Sequence, residues 1–116
     1  MKEFCFEITQ GTDRVFKFGG LSSAGETLNF TGYKAYLSVK ASLFATRTID
    51  ALSVENGRIV LEDGGRFWRV TFPHDVTKGY PASRLVYDLK VKSAGGEIYS
   101  LVSGHIDVKK GVTNVL

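Results

Sequence analysis

The sequence predicts an all-β fold, a two-sheet antiparallel β-sandwich of about seven to nine strands. Three observations predict it. Short runs of alternating apolar and polar residues recur at a spacing of about ten residues. Glycine- or asparagine-containing turns close most of these runs, and helical periodicity is almost absent. The 116 residues are 43% hydrophobic and 23% charged, the balance of an ordinary globular chain, so one domain over residues 1–116 is expected.

The first run places Phe4, Phe6 and Ile8 on one face and Glu3, Cys5 and Glu7 on the other, and Thr9-Gln10-Gly11-Thr12 turns the chain. Arg14 to Phe18 reads as a second strand with Phe16 and Phe18 inward. Residues 19–27 are small and polar and read as a surface loop. From Tyr33 to Lys40 the alternation is clean, with Tyr33, Ala35, Leu37 and Val39 on the buried side. Leu43 to Ile49 fits either a strand carrying Phe44 or an irregular connection between the sheets.

Glu55-Asn56-Gly57-Arg58 predicts a hairpin with a type I′ turn joining residues 52–54 to residues 59–61, because that turn needs positive φ at both central positions. Glu62-Asp63-Gly64-Gly65 then turns the chain into a strand in which Trp68, Val70 and Phe72 share a face opposite Phe67, Arg69 and Thr71. Pro73 ends it, and His74 to Ala82 reads as a crossover with room for one helical turn. Leu85, Tyr87, Leu89 and Val91 form another core face. Ala94-Gly95-Gly96 predicts a second hairpin, leading into residues 97–102 and on to Ile106 and Val108. Gly104 interrupts that last run and reads as a bend that lets one long strand change sheets. The expected shared core is Phe4, Phe6, Phe16, Phe18, Leu37, Trp68, Phe72, Tyr87 and Leu89.

No constellation in the sequence carries catalysis. His74 and His105 have Asp75 and Asp107 as their nearest carboxylates in sequence, but no serine lies in a Gly-x-Ser-x-Gly elbow and Cys5 has no histidine near it in the chain. His74 is expected to cap a turn or lie at the surface, and His105 to point outward beside Gly104. The acidic residues are scattered singly, without calcium-loop or facial-triad spacing. The glycine pairs lead into no helix with a following Lys-Ser or Lys-Thr. Neither a cofactor nor a metal is therefore expected. One cysteine allows no intramolecular disulfide. The N-terminus lacks a continuous apolar run, and no stretch reaches the roughly 18 residues of a membrane span, so no membrane role is expected. The net charge of +3, from 15 basic and 12 acidic residues, is spread along the chain, which argues against a nucleic-acid partner.

What remains is contact chemistry. Arg66-Phe67-Trp68-Arg69 interleaves cations with aromatics, and alternation turns Trp68 inward and Phe67 and Arg69 outward. Tyr36, Val86 and Tyr99 are further apolar or aromatic side chains on polar faces. An isolated exposed aromatic is commonplace, whereas a cluster of these residues would mark a contact surface. Lys109 and Lys110 begin a C-terminal tail, residues 109–116, that is either a further contact or a frayed end.

The segment Leu52-Ser53-Val54-Glu55-Asn56-Gly57-Arg58-Ile59-Val60-Leu61, with Val70-Thr71-Phe72-Pro73, Tyr87-Asp88-Leu89, the Gly-Gly hairpin, Leu101-Val102-Ser103-Gly104 and residues 108–113, resembles small Ig-like β-sandwich proteins of tailed bacteriophages and prophages. The resemblance covers about residues 28–113, and its positions are structural ones. It implies a non-enzymatic virion component of the tail, baseplate or fibre-attachment type. Such a protein would assemble in the host cytoplasm and bind other virion proteins or copies of itself. The expected contact residues are Tyr36, Phe67, Arg69, Val86, Tyr99, Lys109 and Lys110. The competing expectation is a carbohydrate-binding module that stacks a glycan on Tyr36, Phe67 or Tyr99.

Overall fold

The computed structural model describes residues 2–19 and 29–112. The expected loop beyond Gly19 and the last four residues of the tail lie outside the described residues. In chain order the elements are β1 (Lys2–Glu3), β2 (Phe6–Thr9), β3 (Arg14–Gly19), β4 (Lys34–Lys40), β5 (Thr48–Ser53), β6 (Ile59–Glu62), β7 (Phe67–Phe72), a single helical turn α1 (His74–Thr77), β8 (Arg84–Lys92) and β9 (Ile98–Lys109). The larger sheet runs β1-β9-β8-β4-β5, with β2 continuing β1 along the same edge of β9, and the smaller runs β3-β7-β6. With β1 and β2 taken as one interrupted edge strand, the two sheets hold five and three strands, the two layers of a β-sandwich.

The core is built by alternation. Leu37, Leu52, Leu85, Leu89 and Ile106 from the larger sheet meet Ile59, Trp68, Val70 and Phe72 from the smaller, each at most 1% exposed. Each such side chain contributes about 1.5–3 kcal/mol of burial. Phe6, Phe16, Phe18, Phe72 and Tyr87 form a connected set of ring contacts at one side of this core. Phe4 departs from expectation: it is 41% exposed and caps the set from outside, 5.7–5.8 Å from the rings of Phe6, Phe16 and Phe18.

The sandwich is mostly antiparallel; only the pairings of β1 and β2 with β9 run parallel. Two other expectations are corrected. The Asn56-Gly57 turn does not close a hairpin: β5 pairs with β4 in one sheet and β6 with β7 in the other, so the turn carries the chain between sheets. Of its two central residues only Gly57 has positive φ, at 78°. The Asn56 carboxamide shapes the corner instead, accepting from the Ser53 and Arg58 N–H groups at 3.0 and 3.1 Å and donating to the Ala51 carbonyl at 2.9 Å. The paired positive-φ turn lies at Asp63 and Gly64, with φ of 55° and 67°, between β6 and β7.

Gly104 is not a bend between sheets, since β9 stays in the larger sheet throughout. A side chain is excluded there because a Cβ would lie 2.2 Å from the Phe4 carbonyl oxygen. Leu43 to Ile49, which fitted either a strand or a connection, is mostly connection, with β5 beginning only at Thr48. The α1 turn and the β8–β9 hairpin stand where they were expected.

Candidate partner-binding surface

Register gathers a set of side chains on the outer face of the larger sheet. Tyr36 stands opposite Lys90, Ser38 opposite Asp88, and Lys40 opposite Val86. Val86 in turn faces His105, and Asp88 faces Ser103. Cross-strand partners point to the same side, so these residues floor one open groove of about 650 Å³, bounded also by Glu3, Ser42 and Leu43. The β4–β5 connection forms its rim. A turn closed by the Ala45 N–H on the Ser42 carbonyl, at 3.2 Å, holds Leu43 and Phe44 out at 82% and 94% exposure.

Charges in the groove are of both signs. Lys90 lies 3.6 Å from Asp88. Outside the groove lining, two residues past the end of β5, Glu55 receives Lys34 at 3.3 Å and the Tyr36 hydroxyl at 3.4 Å. Its own backbone N–H, then Lys34 and Tyr36, hold the Glu55 carboxyl below the usual carboxylate range.

Of the residues expected to make contacts, Tyr36 and Val86 come together in this groove. Phe67 and Arg69 lie on the other sheet. Phe67 is paired with Gly19, and its ring lies over that glycine, 2.9 Å from where a Cβ would be; this is an aromatic covering a glycine in a sheet. Arg69 donates to Glu62 at 2.9 Å. Tyr99 pairs with Val91, one residue out of phase with Lys90, so it points away from the groove face. Its hydroxyl donates to Glu97 at 2.6 Å, which raises its pKa. Lys109 and Lys110 are exposed at the far end of β9. The cluster around Phe67 that would have marked a single contact surface is therefore not formed, and Tyr36, Phe67 and Tyr99 share no stacking platform.

Two features escaped the sequence reading. Leu43 and Phe44 were visible only as apolar residues in a segment of uncertain type. Cys5 and His105, 100 positions apart, come within 3.2 Å, Sγ to Nδ1, because the parallel register sets Glu3 beside Ser103 and Phe6 beside Ile106. His105 Nε2 faces Asp107 at 3.8 Å. Arg84 donates to Asp107 at 2.8 and 3.3 Å, and this pairing lowers the Asp107 pKa. His74 lies at the surface as expected, but its partner is Asp13, which accepts from the His74 backbone N–H at 2.6 Å and lies 3.0 Å from Nδ1.

Among the described residues no three or more His, Cys, Asp or Glu side chains are grouped to hold a metal ion, and no helix is long and apolar enough to cross a membrane. The chain matches no protein-family model, and no curated protein matches its sequence.

Proposed function

We propose that this Ig-like sandwich is a structural or adaptor component of a tailed-bacteriophage or prophage virion, of the tail, baseplate or fibre-attachment type. It acts through protein–protein contacts on the outer face of its larger sheet. The observation that supports the contact reading is the exposure of Leu43, which lines the groove holding Tyr36 and Val86, and of Phe44 next to it in the chain. Two large apolar side chains kept in water beside an open groove gain about 1.5–3 kcal/mol each when a partner covers them. The phage assignment rests on the sequence resemblance, and its partners are other virion subunits or further copies of the chain.

The test is solution mass by light scattering over a concentration series, alone and with the proteins encoded beside it. A defined oligomer or a stable co-complex that is lost in a Phe44→Glu variant supports the reading. A strict monomer that binds none of its encoded neighbours overturns it.

A further inference from the structure

The break between β1 and β2 brings together a thiol, a base and a carboxylate. β1 and β2 keep one register along β9, yet Phe4 and Cys5 belong to neither strand. The Phe4 N–H donates to Ser103 at 2.9 Å, and its carbonyl accepts from the Tyr87 hydroxyl at 2.6 Å. Gly104 lets this backbone lie close. The segment is thus pinned from two strands while the Cys5 side chain stays exposed.

We propose that Cys5 and His105 form a nucleophile–base pair that makes Cys5 a site of thiol–disulfide exchange, taking a disulfide of a small molecule or of a docked protein. Three features support it. The Sγ–Nδ1 separation of 3.2 Å is within hydrogen-bond reach for sulfur, so the thiol proton has an acceptor in place. The Asp107 carboxylate on the Nε2 side of the ring favours the tautomer protonated at Nε2, which leaves Nδ1 free to accept. Arg84 holds that carboxylate in position, making Asp107 a positioning residue. The groove ends on Glu3, Ser103, Gly104 and His105, and Cys5, beside His105, is itself exposed to an approaching disulfide.

In the exchange, the Cys5 thiol proton passes to His105 Nδ1 as Sγ attacks one sulfur of R–S–S–R. The Cys5–S–S–R bond forms, the original S–S bond breaks, and the departing RS⁻ takes up the proton from His105. Cys5 is oxidised to a mixed disulfide, and the leaving sulfur is reduced to a thiol. The other titratable groups around the pair are Arg84 and Tyr87 on β8 and Asp107 on β9, with Glu3 and Glu7 two residues to either side of Cys5 along its own edge.

The experiment follows the reaction of the full chain with a bis(nitrobenzoate) disulfide, whose leaving thiolate is coloured, from pH 6 to pH 10. Wild type, Cys5→Ser, His105→Gln and Asp107→Asn are compared, with circular dichroism reporting that each is folded. Cys5→Ser is expected to abolish the reaction. An unassisted thiol is only a few per cent ionised at pH 7, so His105→Gln is expected to react about 10-fold more slowly there. It should converge with wild type near pH 10, where an ordinary thiol is ionised without a base. Asp107→Asn should fall between them. Equal rates at pH 7, or a deficit that is the same at every pH, as a change in access alone would give, overturns the proposal.

Discussion

Arg58 donates to both carboxylate oxygens of Asp50, at 3.0 and 2.8 Å, and so fastens the segment entering β6 of the smaller sheet to β5 of the larger. Arg58 also donates to the Thr71 carbonyl at 3.2 Å, and the Tyr80 hydroxyl donates to Asp50. The two charged side chains are 16% and 12% exposed. Burial alone would lower the Arg58 pKa, but Asp50 and Tyr80 together more than offset it. Burial, reinforced by Asp50, raises the pKa of the Tyr80 hydroxyl and keeps it a donor.

Asp50→Ala leaves a mostly buried guanidinium without its counter-charge and is expected to destabilise the fold by about 3 kcal/mol. Tyr80→Phe, which removes one hydrogen bond to a charged acceptor, should cost about 1.5–3 kcal/mol. Urea unfolding measures both. The Asp50→Ala/Arg58→Met double variant should be less destabilised than the sum of its parts, because neither partner is then left buried alone.

Gly104→Ala sets a methyl against the Phe4 carbonyl at a separation no real Cβ tolerates. The expected result is displacement of β1 and the Phe4–Cys5 segment from β9 and a loss of about 1–3 kcal/mol. Hydrogen exchange locates the effect: the Phe4 amide, bonded to Ser103, should lose protection before the amides of β4 and β8 do.

Acid should weaken the fold through Asp13 and Asp107. The His74 backbone N–H holds the Asp13 carboxyl below its ordinary pKa, and Arg84 does the same for Asp107. A carboxyl depressed in the folded state binds fewer protons there than in the unfolded chain. Its contribution is therefore complete above the unfolded value, about 3.9, and is lost as pH falls through the folded value. Tm measured against pH should show no contribution from these two groups between pH 7 and 5 and should fall below about pH 4. Asp107→Asn should flatten that fall; an unchanged slope would exclude Asp107 as a contributor.

Leu43→Glu and Phe44→Glu change side chains that pack on almost nothing, so unfolding free energies should stay within about 0.5 kcal/mol of wild type. On the proposed contact reading, binding to a protein partner should weaken at least about 10-fold, measured by titration calorimetry on a co-purifying protein. Loss of stability without loss of binding would place the contact elsewhere on the molecule.

Most of the strands were legible because alternation is a local property. Phe67 to Phe72 buries Trp68, Val70 and Phe72 and no other residue of the strand, as its pattern requires. Turn position was legible too, since Asp63-Gly64 and Gly96 adopt the positive φ that their residue types allow. Turn role was not. Asn56-Gly57 has the composition of a hairpin, but whether a turn joins neighbours within a sheet or passes between sheets depends on which strands pair, and β4 and β7 make that choice.

By itself, then, the sequence determined the all-β class, the inward face of most strands and a chain able to bury a core, because each follows from the order of apolar and polar residues along a few positions. Only the tertiary structure decided what stands beside what on the outer faces. It laid Phe67 over Gly19 and away from Tyr36, gathered Tyr36 and Val86 beneath Leu43, and put Cys5 against His105. Those neighbours come from register between strands distant in sequence, and register is set by the packing of the whole core.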